Sequence, residues 1–278
     1  MTSPFDAPAP VPPSSSPAAP APAAPSPVAP SPVAPSPAAA GSGDFPAPEG
    51  RDARPQYVLP LLVRLERATP PGRTDALETS ARAVLTLLAD RRVTEPDGEW
   101  AERVAAWEDA RIRKVVRRAR GGEWRRAGEL PGVTVRGREA EVRVFPPVPL
   151  DGWPKELAKL QVSGTDLEET AEVGAPEPGL PVLWLNPELE MSAGKTMAQT
   201  GHAAQLAWWR LDEAQRKEWA ESGFALAVRT ATPAAWEDLV RSGLPVVHDA
   251  GFTEIAPGPT VALEGGTRYC PVGRLRRS

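Results

Sequence analysis

The chain has 278 residues and a formal net charge of -4 at pH 7. This balance excludes a general electrostatic attraction to nucleic acid, so any RNA binding needs a local basic patch. A single cysteine, Cys270, excludes an intramolecular disulfide, and with His202 and His248 it forms no recognisable metal spacing. We therefore expect neither a metal nor a cofactor.

The first fifty residues differ in composition from the rest of the chain. They hold roughly half of the 35 prolines, and the repeat APSPVAPSPVAPSPAAA has no charge and no aromatic group. Such a segment cannot bury enough apolar surface to fold, so we predict a disordered, partly polyproline-II tail for residues 1–50. It lacks the basic start and apolar core of a targeting signal, and proline recurs too often for a membrane helix. A soluble cytoplasmic protein is expected.

Residues 51–175 are predicted to form an α+β extension. An apolar run at residues 57–65 predicts a strand or a short apolar segment, and apolar residues at helical spacing predict an amphipathic helix within 75–90. Alternating valines between residues 133 and 144 indicate a hairpin. The acidic, Gly- and Pro-rich stretch 165–179 is typical of a linker.

A second helix of the extension is predicted within residues 98–122, and its end is very basic. Between residues 111 and 126 there are eight cations and one acid, Glu123. One interpretation is a solvated helix end whose cations suit the negative end of the helix dipole. The other is a face that contacts phosphates. The candidates for phosphate contact are Arg113, Lys114, Arg117 and Arg118.

Strands and helices alternate in the last hundred residues. Strands are predicted at residues 182–186, 224–230, 244–251 and 259–264, and helices at 194–210, 212–222 and 232–243. This alternation favours a compact α/β domain with a mostly parallel or mixed sheet, within residues 176–278.

A Gly-Lys-Thr sequence, residues 194–196, follows the first of these strands and suggests a nucleotide-binding P-loop. That motif needs a glycine five positions before Gly194, and the chain has Leu189 there. The residues before it are also acidic and poor in glycine. The sequence therefore disfavours a P-loop.

The helix that begins near Gly194 has two different sides. At about 100° per residue, one side is small and apolar, which predicts close packing on a sheet. Its residues are Met197, Gly201, Ala204, Trp208 and Leu211. The other side gathers an amine, an amide and an imidazole at the helix start, and is either an ordinary surface or a site. Its residues are Lys195, Gln199, His202, Leu206 and Trp209.

A second stretch, residues 246–258, bears on this choice. Asp249 stands where a strand should end, Ala250 and Gly251 permit a sharp turn, and Thr253 follows. In an open α/β sheet, the carboxyl ends of strands and the amino ends of the following helices meet at one edge. Lys195 and Asp249 are therefore expected to face each other, although an Asp at this point often only caps a turn.

Taken together, the two stretches resemble the signature segments of the type-2 peptidyl-tRNA hydrolases. The resemblance covers about residues 180 to 264 and rests on Met191, Gly194, Lys195, Ala198, Gln199, His202, Ala203, Asp249, Ala250, Gly251, Thr253, Ile255, Pro257 and Gly258. It implies a small three-layer α/β/α domain with a mixed four-stranded sheet. It also implies a catalytic group of Lys195, Asp249 and Thr253, with Gln199 and His202 beside it as substrate-binding positions.

The chain departs from the family pattern in its cations. Residues 190–193 lack two lysines of the family's run, and Asn186 stands where the family has an arginine. The segment after Glu264 also differs from the family's last helix and strand. These departures concern RNA binding rather than chemistry. The basic stretch of the extension is then a candidate replacement for the missing cations.

The implied function is metal-independent hydrolysis of the ester in peptidyl-tRNA or N-blocked aminoacyl-tRNA, which recycles tRNA. Lys195 would stabilise the oxyanion while Asp249 orients or deprotonates water, or Lys195 would itself act as the base. A non-catalytic RNA- or ribosome-binding protein on the same fold is the alternative. The sequence does not decide between a monomer and a homodimer.

Overall fold

A computed structural model describes residues 55–251 and 254–271. The predicted tail at residues 1–50 and the candidate catalytic residue Thr253 lie outside these ranges. The described residues belong to one compact unit, residues 47–278. They form two mixed β-sheets with helices packed on them, so the predicted α/β class is confirmed. Within these ranges, none of the helices has the length and apolar character that crossing a membrane requires.

The N-terminal part, residues 57–158, is built around strand β1. Its elements are β1 (Tyr57–Arg64), α1 (Arg73–Leu88), α2 (Arg91–Thr94), α3 (Ala101–Asp109), β2 (Lys114–Ala119), α4 (Gly121–Gly128), β3 (Val133–Arg136), β4 (Glu141–Val144), β5 (Val148–Pro149) and α5 (Lys155–Ala158). The strand order is β2-β1-β4-β3, and β5 also pairs with β1. β1 runs parallel to β2 and antiparallel to β4. The predicted hairpin of β3 and β4 is confirmed.

The prediction of a helix through the basic stretch is wrong. α3 ends at Asp109, and Lys114–Ala119 is a strand that pairs in parallel with β1. The pairing with β1 supplies the backbone hydrogen bonds of this strand. The basic side chains of the strand contact other residues of the same chain. The Arg117 guanidinium lies 4.4 Å from the Trp153 ring centroid and donates to Leu160 O. Arg118 Nε donates to Ser163 O at 3.0 Å.

The acidic stretch 165–179 is irregular, as predicted, but its first half is tied to helix α1. The backbone carbonyl of Glu168 accepts from Arg73 N at 2.9 Å. The Glu169 carboxylate accepts from Thr74 N at 3.1 Å and from the Thr74 hydroxyl at 2.7 Å. A carboxylate at this point satisfies free N–H groups at the positive end of the helix.

The C-terminal part, residues 182–264, contains the predicted mixed four-stranded sheet. Its elements are β6 (Val182–Leu185), α6 (Ala193–Trp209), α7 (Glu213–Glu221), β7 (Ala227–Thr230), α8 (Pro233–Arg241), β8 (Val246–Asp249) and β9 (Gly258–Glu264). The strand order is β7-β6-β9-β8. β6 and β7 are parallel, and β9 is antiparallel to β6 and β8. α6 and α8 contact β9 through different residue clusters, so three layers form.

The predicted small, apolar side of α6 meets another helix at Gly201. A Cβ added at Gly201 would lie 3.0 Å from Val84 Cγ2 of α1. Two hydrogen bonds also join α1 and α6: Ser80 Oγ donates to Met197 O at 3.1 Å, and Thr200 Oγ1 donates to Leu77 O at 3.3 Å. α1 and α6 therefore pack side by side, and one hydrophobic core includes residues of both parts.

Candidate active site

The start of helix α6 is fixed by a capping serine. Ser192 Oγ accepts from Lys195 N at 3.2 Å, which satisfies one of the free N–H groups of the first turn. The carboxylate of Glu254 in turn accepts from Ser192 N at 3.0 Å and from Ser192 Oγ at 2.8 Å. The loop after β8 is thus attached to the helix that carries Lys195.

The structure brings Lys195, Gln199 and Asp249 together. Asp249 is the last residue of β8, and its Oδ2 accepts from Lys195 Nζ and, at 2.7 Å, from Gln199 Nε2. Its Oδ1 accepts from Gly251 N at 2.8 Å. The expected meeting of the strand end with the helix start therefore occurs, and Asp249 also stabilises the turn that follows it.

Gln199 is held in one orientation by a residue that the sequence analysis did not identify. Thr260 Oγ1, on β9, donates to Gln199 Oε1 at 2.9 Å, which leaves Gln199 Nε2 to bond Asp249. Both Gln199 and Thr260 are buried. The sequence signal that could have identified Thr260 is its polar side chain within the mostly apolar run of β9.

The ion pair is largely screened from water but remains accessible. The side chains of Lys195 and Asp249 are 14% and 10% exposed, respectively. Burial favours the neutral form of Asp249, yet the hydrogen bonds from Lys195 and Gly251 outweigh burial, so the pKa of Asp249 lies below its ordinary value. Asp249 is therefore a carboxylate at neutral pH.

The segment that carries these residues matches the model of a known family. Residues 181–266 match the family model of Peptidyl-tRNA hydrolase PTH2. This range, called the PTH2 segment below, begins one residue before β6 and ends two residues after β9. It confirms the resemblance found in the sequence and contains Lys195, Gln199 and Asp249. No curated protein gave a significant match to the chain.

His202 of the PTH2 segment lies beside a lysine from the N-terminal part. Lys114 Nζ is 3.1 Å from His202 Nδ1 and donates to Gln205 Oε1 at 2.6 Å. Burial lowers the pKa of Lys114 far below its ordinary value, and the charge of Glu108 opposes this shift only in part. Burial also lowers the pKa of His202, as do the charges of Lys114 and Lys195. The predicted substrate-binding position His202 is thus part of a polar contact between the two parts.

The remaining predicted positions are spread over the molecule. Lys114 is buried against α6. Arg113, Arg117 and Arg118 bond to Gln56, Leu160 O and Gln161, respectively. The helical face that motivated their selection does not exist, and their contact with RNA stays a prediction. In the part of the chain that the structure describes, no group of three or more His, Cys, Asp or Glu residues could hold a metal ion.

The buried Lys114 leads to a prediction about stability and pH. Between its lowered folded pKa and about 10.4, the value for an unfolded lysine, the unfolded chain binds more protons at this residue than the folded chain. The contribution of Lys114 to the free energy of unfolding should therefore rise with pH, by up to about 1.4 kcal/mol per pH unit. Urea unfolding at several pH values should show this rise in wild type and not in Lys114→Met.

Lys159→Met is the matched control, because Lys159 is exposed on the surface. Its curve of stability against pH should run parallel to that of wild type. If the Lys114→Met curve is parallel as well, Lys114 is protonated in the folded state throughout the range and the account above is wrong.

Proposed function

We propose that the protein hydrolyses the ester bond that joins the peptide to tRNA in peptidyl-tRNA, and the equivalent bond in N-blocked aminoacyl-tRNA. The Lys195–Asp249 ion pair carries this proposal. It lies at the start of α6 and the end of β8, inside the PTH2 segment, and remains partly exposed. Release of the peptide would return free tRNA to translation, and we assign the enzyme to the cytoplasm.

The two members of the ion pair suit different tasks in ester hydrolysis. Water adds to the ester carbonyl and the carbonyl oxygen becomes an oxyanion. The bond from this carbon to the ribose oxygen then breaks, and a proton of the attacking water passes to the departing ribose oxygen. The amine of Lys195 supplies positive charge to that oxyanion. A carboxylate with a lowered pKa is a weak base. We therefore assign Asp249 to the orientation of Lys195 and of the attacking water.

Gln199 is proposed as a positioning residue rather than a contact to substrate. Both ends of its amide group are engaged, because Oε1 accepts from Thr260 and Nε2 donates to Asp249. Replacing it would remove one of the two hydrogen bonds that hold Asp249 Oδ2, while leaving the charges of Lys195 and Asp249 in place. We expect Gln199 to act on the rate through the position of the carboxylate.

Thr253 is proposed as the third member of the catalytic group. The described residues on either side of it, Gly251 and Glu254, both bond to residues of the site. Its hydroxyl would hold the attacking water or fix Asp249. This role rests on the family resemblance and on the neighbours of Thr253 in the sequence.

The deciding experiment measures release of the amino acid from purified N-blocked aminoacyl-tRNA by the full chain. Release that depends on Lys195 supports the proposed activity. Stable binding of the tRNA without release would favour the alternative, a non-catalytic RNA- or ribosome-binding protein. Binding and release should be measured on the same samples, so that the two outcomes are distinguished directly.

Chelation of metals should leave hydrolysis unchanged. An amine and a carboxylate provide the proposed chemistry, and the described residues form no cluster of metal ligands. Release of the amino acid should therefore proceed at the same rate with and without EDTA, after dialysis of the enzyme against the chelator. A loss of activity that added Zn²⁺ or Mg²⁺ restores would contradict the metal-independent mechanism.

A further inference from the structure

The N-terminal and C-terminal parts repeat one strand topology. In each part, numbered along the chain, the strand order is second, first, fourth, third: β2-β1-β4-β3 and β7-β6-β9-β8. In each, the first two strands are parallel and the fourth is antiparallel to the first and to the third. Each part also places a long helix between its first two strands and a shorter helix before its third. Strand β5 and the short helices α2 and α5 are additions to the N-terminal part.

The two long helices occupy equivalent places and pack against each other with reciprocal contacts. α1 begins at Arg73 and α6 at Ala193, 120 residues later. With that offset, Leu77 corresponds to Met197 and Ser80 to Thr200. The hydrogen bond from Ser80 Oγ to Met197 O is then the image of the bond from Thr200 Oγ1 to Leu77 O.

The same reciprocity extends from the helices to the edge strands. α6 packs against β2 of the N-terminal part, and α1 packs against the equivalent strand, β7, of the C-terminal part. Lys114 of β2 reaches His202 and Gln205 of α6. Glu78 of α1 accepts from Val228 N of β7 at 3.1 Å. Contacts that exchange partners in this way are those of an interface with two-fold symmetry.

The N-terminal part lacks the ion pair of the candidate active site. Lys195 is the third residue of α6, and the third residue of α1 is Asp75. Asp75 is buried and accepts from the backbone N of Arg138, Glu139 and Ala140 at 3.1, 2.7 and 2.8 Å. These N–H groups lie in the turn after β3, just as the N–H group of Gly251 lies in the turn after β8. The equivalent position thus holds a carboxylate bound to backbone N–H groups, in place of the amine of Lys195.

In the N-terminal part, a cavity lies at the place equivalent to the candidate active site. It has a volume of about 330 Å³ and includes Arg64, the last residue of β1, and Arg136, the last residue of β3. Glu141 also lines the cavity and forms ion pairs with Arg64 and with Arg136. A cavity is therefore present at these strand ends, while the Lys–Asp pair is not.

We propose that residues 57–144 are a second, non-catalytic copy of the fold of residues 182–264, and that this copy serves as a built-in partner subunit for helix α6. Through α1 and β2, this copy covers a face of α6 that would otherwise be exposed. The inference goes beyond the proposed function and stands without it, because it rests on topology and contacts. A homodimer through this face of α6 is excluded, since the same chain already covers it.

The test is a disulfide across the helix pair in the full chain, made with Ser80→Cys and Thr200→Cys together. These positions are equivalent in the two copies, and both hydroxyls already bond to the backbone of the facing helix. After mild oxidation we expect a disulfide within one chain and a mass of about 29.6 kDa on non-reducing gels. The two single-cysteine variants are the controls for pairing with Cys270.

Two results would overturn the proposal. Disulfides that join two chains would show that α6 takes its partner from a second molecule. Free thiols at both positions, together with an unchanged melting temperature of the Thr200→Arg variant described next, would show that α1 and α6 do not pack together.

A second variant keeps the proposal testable if the double-cysteine chain does not fold. Thr200→Arg places a long cation in the buried contact with α1, so the melting temperature should fall by roughly 10 °C or more, or the chain should not fold at all. Glu237→Arg changes an exposed position of α8 and should have little effect. An unchanged melting temperature for Thr200→Arg would mean that this face of α6 is open, against the proposal.

Discussion

Lys195→Ala should reduce the release of amino acid from N-blocked aminoacyl-tRNA by about a hundredfold or more, the usual scale for removing a group that stabilises an oxyanion. The fold should survive, because Lys195 lies near the surface and the cap of α6 uses the backbone N of Lys195 rather than its side chain. Single-turnover release at saturating enzyme, together with circular dichroism, measures both quantities. Lys217→Ala, at an exposed position of α7, is the matched control.

The partner variant, Asp249→Asn, should lower the rate on a similar scale, because the amide has no charge to hold Lys195 in place. Thr253→Val should lower it less. Asp151→Asn, at an exposed position, controls for the loss of one negative charge. Activity that falls only in proportion to the loss of folded protein would show that Lys195 and Asp249 are structural, and the proposed catalytic assignment would then be abandoned.

Asp75→Ala should lower the free energy of unfolding by about 2–4 kcal/mol, yet leave hydrolysis per folded molecule unchanged. Three backbone N–H groups lose their acceptor, and each unsatisfied group costs about 1–3 kcal/mol unless water replaces the bond. Ala140 N is the most costly because Ala140 is buried, whereas Arg138 and Glu139 are exposed enough for water to enter. Urea unfolding and the release assay on the same preparation measure the two effects.

Asp151→Ala provides the control for Asp75→Ala, since it removes an exposed carboxylate. Its stability should stay within about 0.5 kcal/mol of wild type. A large loss of activity per folded molecule in Asp75→Ala would assign the N-terminal part a role in catalysis, contrary to the non-catalytic copy proposed above.

The elements of the C-terminal part were predictable because their signals are local. A helix such as Pro233–Arg241 has a capping threonine, a proline in its first turn and a glycine after its end, all within a dozen residues. The strand Lys114–Ala119 was not predictable in this way. Its valines fit the hydrophobic period of a helix as well as that of a strand. Its strand conformation depends on pairing with Tyr57–Arg64, some fifty residues earlier.

The same distinction applies to the candidate site: local signals predict some of its features, while others depend on contacts between distant parts of the chain. Lys195 and Asp249 could be paired in advance, because helix starts and strand ends meet at one edge of an α/β sheet. The burial of Lys114 could not, since it depends on the packing of the N-terminal part against α6. Gln199 was identified by its position on the helix, but its bond to Thr260 required the neighbouring strand.

The pairing of α1 with α6 has a consequence for how the protein can evolve. In a symmetric homodimer, every substitution appears on both sides of the axis, so a change that suits one subunit is imposed on the other. Here the two sides of the pair are encoded separately, and Asp75 and Lys195 stand at equivalent places with opposite charges. One side can therefore accumulate changes that strengthen packing while selection on the other side maintains the proposed chemistry.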